Sequence, residues 1–122
     1  MAVTTLTLTA LATSLFKDTG SSNAAIVVKA TAGTLYIIHV DNSGNAAAAS
    51  YVKLYDSAGA VTIGTTAPDW IFKVAGAYHG EVLVIPGGVV FASGLQVATV
   101  TTGGTAGTTG PTSGVTVEVA FT

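Results

Sequence analysis

Threonine alternates with apolar residues at both ends of the chain. In TTLTLTA (4–10), Leu6, Leu8 and Ala10 fall on one side and Thr5, Thr7 and Thr9 on the other. In VTVEVAFT (115–122), Val115, Val117, Val119 and Phe121 oppose Thr116, Glu118, Ala120 and Thr122. A period of two places successive side chains on opposite faces of an extended strand and signals half-buried β-structure. Threonine and valine are stiff at χ1 and suit a pleated surface.

The same reading continues between these ends. AIVVKATA (25–32), TLYIIHVDN (34–42), SYVKLYD (50–56), WIFKVAG (70–76), GEVLVIP (80–86), VVFAS (89–93) and LQVATVTT (95–102) are each bounded by Gly, Pro, Asn, Asp or Ser. No segment carries a convincing helical period; Ala10–Phe16 comes nearest and fits equally well as the tail of the first strand. The expectation is an all-β fold of eight or nine short strands: an antiparallel β-sandwich, jelly-roll-like because long connections suit that topology. With 122 residues, one domain spanning 1–122 is expected, with an N-terminal strand or arm at 1–11 and a Gly/Thr-rich loop at 101–114.

Composition narrows the function. Charged residues make up 8% of the chain, Arg and Cys are absent, and the net charge is -2. Such a chain offers no basic patch for nucleic acid or an anionic membrane surface. Without cysteine there is neither a disulfide framework nor a thiolate nucleophile. The N-terminus lacks the cationic start of a signal peptide. The uncharged stretch Val82–Val117 is interrupted by Pro86, Gly87, Gly88 and Gly94, which does not suit a spanning helix. Hydrophobic residues amount to 49% and the mean hydropathy is +0.65. So few charges spread over so apolar a chain imply surface buried against other molecules.

The search for chemistry returns no enzyme. His39 and His79 are far apart, and no third ligand accompanies either. There is no G-x-S-x-G elbow. Asp41, Asp56 and Asp69 stand in the turns DNSG, DSAG and APDW, where Asp caps backbone N–H groups. DNSGN lacks the glycine and glutamate that a calcium loop requires, with Ala46 and Val52 in their places. TTGGTAGTTGPTSG (101–114) has no lysine and leads into a strand, so it is a surface loop and not a phosphate cradle. Trp70, Phe72, Tyr51, Tyr55 and Tyr78 could make a sugar platform; the competing expectation is that Trp70 and Phe72, two apart, fill the core from one strand face. Tyr51, Lys53 and Tyr55 share a strand face and are expected to form an exposed contact surface. Neither a catalytic residue nor a metal or cofactor site is predicted.

Several stretches carry a resemblance: KLYD (53–56), GTTAPD (64–69), PGGVVFASGL (86–95), the Gly/Thr tract and VTVEVAF (115–121). Over 35–122 the chain resembles small virion structural proteins of tailed bacteriophages, in particular jelly-roll-like capsid decoration (cement) proteins. The resemblance implies a homotrimer on the outer capsid surface that bridges major capsid subunits, made in the host cytoplasm. The contact residues expected on this reading are Leu6 and Leu8 in the arm, Tyr51, Lys53 and Tyr55 on the strand face, and Thr105 and Thr108 in the loop. The alternative is a tail or fibre β-domain that binds a glycan or another virion protein.

Overall fold

The computed structural model describes residues 12–77 and 80–122. It contains eight strands: β1 (Ser14–Ser21), β2 (Ile26–Lys29), β3 (Gly33–Asp41), β4 (Ser50–Asp56), β5 (Trp70–Val74), β6 (Glu81–Phe91), β7 (Leu95–Val100) and β8 (Val115–Phe121). They form two four-stranded antiparallel sheets, β1-β8-β3-β6 and β2-β7-β4-β5. The pairs β1·β8, β2·β7, β3·β6 and β4·β5 are nested one inside the next. A long antiparallel ribbon wrapped into two sheets produces this order, which is the jelly-roll topology.

The alternation read from the sequence places the core. Val115, Val117, Val119 and Phe121 of β8 meet Leu35, Ile38 and Val40 of β3, Val52 and Leu54 of β4, and Leu95 and Val97 of β7. Trp70 and Phe72 pack against this cluster, as their spacing predicted, and Val74 on the same face is fully buried.

Two elements differ from expectation. The region read as a strand tail is itself β1, which begins at Ser14 and carries Lys17 and Asp18 through the ladder. Its irregular pattern is overridden by the regular partner β8, and the register shifts after Asp18. There the Asp18 carboxylate accepts the Gly20 N–H at 2.9 Å. The two short strands expected at 80–86 and 89–93 are one continuous strand, β6. Leu35 pairs with Val89 and Ile37 with Val84, so the extra residues around Pro86-Gly87-Gly88 bulge out of the ladder without ending it. Gly87 and Gly88 both have positive φ, 78° and 74°. A Cβ at Gly88 would also run into the Thr34 methyl and the Tyr36 ring.

Candidate assembly surfaces

The two outer faces of the sandwich are finished differently. On the β2-β7-β4-β5 sheet, the residues pointing away from the core are Tyr51, Lys53 and Tyr55 of β4 and Gln96, Ala98 and Val100 of β7. They pair across the strands as Tyr51–Val100, Lys53–Ala98 and Tyr55–Gln96. An outward face would ordinarily be wet. Here all of them except Tyr51 are buried, and Tyr51 is half-buried.

Two loops supply the cover. The Lys53 ammonium donates to the carbonyls of Thr105 (3.1 Å) and Gly107 (2.8 Å), pinning the Gly/Thr loop onto the sheet. The loop closes on itself, with the Thr101 N–H donating to Thr109 O at 2.9 Å. Gly103 lies so close to the Tyr51 ring that a Cβ there would stand 2.9 Å from Cε1. The 57–69 connection covers the adjoining part: the Gln96 amide donates to Ser57 O (2.9 Å) and Gly59 O (2.6 Å). The loops touch where Gly64 packs against Thr108. At the far end of 101–114, Asn45 and Ser113 exchange two hydrogen bonds, each of 2.9 Å.

This arrangement corrects the expected contact face. Lys53 is 0% and Tyr55 1% exposed, so neither presents a surface to a partner. The strand alternation was right, but the chain's own loops occupy the face it creates. Lys73 holds the rim, its ammonium 5.6 Å from the centre of the Tyr51 ring. Thr105 is half-buried and its carbonyl is taken by Lys53, whereas Thr108 is exposed. Burial holds the Lys53 ammonium below the usual lysine range and pushes the Tyr55 phenol up. Leu6, Leu8, Tyr78 and His79 lie outside the described residues.

The opposite face, on the β1-β8-β3-β6 sheet, has no such cover among the described residues. Register aligns Leu15, Ala120, Ile37 and Val84 in one row across all four strands. Leu15 is 69% and Val84 60% exposed, and along β6 Val82 and Val90 are exposed as well. The neighbouring row reads Lys17, Glu118, His39, Val82. Glu118 accepts from Lys17 at 2.8 Å, and its second oxygen lies 3.6 Å from His39 Nδ1. The Lys17 hydrogen bond holds the Glu118 carboxyl below the usual range. An apolar row beside one small ion network has the make-up of a contact surface: an anchor area with a polar margin.

A second feature lies between β5 and β6, edge strands of the two different sheets. An apolar groove of about 380 Å³ opens there, floored by Leu35, Ile38 and Leu54 and walled by Trp70 and Phe72 on one side and Leu83 and Ile85 on the other. Trp70 and Phe72 thus turn inward toward the core and do not form a flat outer platform for a sugar.

The turn aspartates act as the sequence suggested. Asp41 accepts the Ser43 N–H at 2.9 Å. Asp69 accepts the Asp56 N–H at 2.7 Å. Asp56 accepts from Ala92 (2.7 Å), Ser93 (2.8 Å) and Gly94 (3.4 Å), bonds that lower its pKa. In DNSGN, Asn42 donates to Ala48 O and Ala75 O, and Asn45 donates to the Asn42 side-chain oxygen. Those side chains lock the turn. No group of three or more metal-ligating side chains occurs among the described residues. The exposed row Leu15, Ile37, Val84 escaped sequence reasoning because it depends on cross-strand register; the charge-free run VLVI (82–85) was its only local signal. No family model, curated protein or solved structure matches the chain.

Proposed function

We propose that this chain is a non-enzymatic structural protein of a bacteriophage virion: a capsid decoration protein that trimerises and bridges major capsid subunits on the outer shell. The observation that carries the assembly part of this reading is the two-faced sandwich. The chain spends two long loops sealing one outer face, and among the described residues nothing covers the apolar row Leu15–Ala120–Ile37–Val84 on the other. A chain with 8% charged residues has few other means of keeping that row soluble, and association covers it. The capsid location is supported by the resemblance over 35–122. A decoration protein stabilises a shell by binding only its assembled state, and many copies multiply modest contacts.

The test is the native mass by light scattering at micromolar concentration, followed by co-sedimentation with capsids stripped of this chain. The expected mass is three times the 12.0 kDa of the chain. Val84→Lys, which places an ammonium in the apolar row, should weaken assembly at least tenfold. A monomer at tens of micromolar that also fails to bind capsids would end this reading.

A further inference from the structure

Among the described residues, strand β6 is an edge of its sheet, next to β3 alone. Its run Val82, Leu83, Val84 is exposed on both faces, at 54%, 40% and 60%. Proteins usually blunt such edges with lysine, short strands or a covering segment. Between Glu81 and Phe91 the only such device is Pro86 with its bulge, below the exposed run. The groove beside it presents Leu83 and Ile85, two residues apart, opposite Trp70 and Phe72.

The arm at 1–11 has the matching character. It bears no charged side chain, and Leu6 and Leu8 stand two apart with threonines between and around them. As a strand, TTLTLTA spans about 23 Å at 3.3 Å per residue. It would turn Leu6 and Leu8 into the groove and Thr5, Thr7 and Thr9 outward. The groove's 380 Å³ is more than twice the roughly 150 Å³ cavity that admits a benzene ring, enough for two leucine side chains.

Where the arm joins the sheet decides whose edge it fits. Ser14 is level with Phe121, Leu35 and Val89, and β1 and β6 are opposite edges. To reach its own β6 the arm would first cross about 19 Å of sheet at 4.8 Å per strand. It would then run parallel to β6, since β6 descends toward Val89 while the arm returns to Ser14 at that same end. Every pair in this fold is antiparallel, and parallel pairing is the weaker form. The edge of a second copy imposes neither restriction.

We infer that residues 4–10 of one copy add as an antiparallel strand to β6 of a neighbouring copy, with Leu6 and Leu8 seated in its β5–β6 groove. This contact is heterologous, arm to edge, and closes into a ring when the rotation allows. It rests on the assembly reading above and specifies how the copies are joined.

The chain has no cysteine, so engineered thiols report cleanly. Differently tagged Leu8→Cys and Leu83→Cys chains are co-expressed, oxidised and separated under denaturing conditions. A hetero-linked species at twice 12.0 kDa is expected. In parallel, removing residues 1–9 should speed amide exchange across 82–85 at least tenfold. A chain carrying both cysteines that links only within itself would place the arm on its own edge and overturn the inference. So would the absence of a hetero-link together with unchanged exchange at 82–85. If the native mass remains that of an oligomer in either case, only the placement of the arm fails; a monomeric wild type removes the assembly reading as well.

Discussion

Replacing Lys53 by Met isolates what holds the Gly/Thr loop to the sheet. Methionine keeps the length and apolar stem of lysine and removes the ammonium that donates to Thr105 O and Gly107 O. Each hydrogen bond from a charged donor is worth about 1.5–3 kcal/mol. Against that loss stands relief from burying a charge without a carboxylate partner. The two carbonyls then lack a donor, at about 1–3 kcal/mol each if they stay dry. They belong to a surface loop that can lift and wet them, which caps the cost. The expected net loss is about 2 kcal/mol. At about 3–6 °C per kcal/mol for a domain of this size, Tm should fall by roughly 6–12 °C. Amides 101–109 should lose exchange protection while β8 keeps its own. The pH dependence gives an independent sign. Burial lowers the folded pKa of Lys53, so the unfolded chain binds the proton more tightly and wild-type stability rises with pH through that window. Tyr55, with its folded pKa raised, reverses this trend only above about pH 10. As pH rises toward the unfolded lysine value of about 10.4, the variant should therefore show the flatter profile. Unchanged Tm and unchanged exchange at 101–109 would refute the argument that Lys53 fastens the loop.

Asn45→Ala removes the paired bonds with Ser113 and the bond to Asn42; urea unfolding should show a loss of roughly 2–3 kcal/mol. The Tyr55 hydroxyl is buried without a hydrogen-bond partner among the described residues. Tyr55→Phe should accordingly leave urea stability unchanged or raise it by about 1 kcal/mol. Glu118 has its folded pKa lowered, first by the Lys17 hydrogen bond. Its contribution is complete above the unfolded carboxyl pKa of about 4.3 and disappears as pH falls through the lower folded value. Lys17→Met should flatten the acid limb of a Tm–pH profile.

Local pattern alone revealed the all-β class, most strand positions and the inward face of β8, because a period of two is written residue by residue and survives any arrangement of the sheets. The aspartate-bearing turns were legible for the same reason, but only Asp41 bonds a backbone group that turn chemistry itself places within reach; the Asp69 partner Asp56 and the Asp56 partners Ala92 and Ser93 are brought there by the fold. Alternation also put Tyr51, Lys53 and Tyr55 together on the outward side of β4, but it cannot report what comes to lie over them. That depended on where two loops distant in sequence fold back, and they bury Lys53 and Tyr55 completely. The open row Leu15–Ala120–Ile37–Val84 belongs to four strands that are scattered along the chain and become neighbours only through jelly-roll nesting. Which outer face is covered by loops and which keeps exposed apolar side chains among the described residues was decided by tertiary structure, since exposure belongs to the packed sheet and not to any one strand.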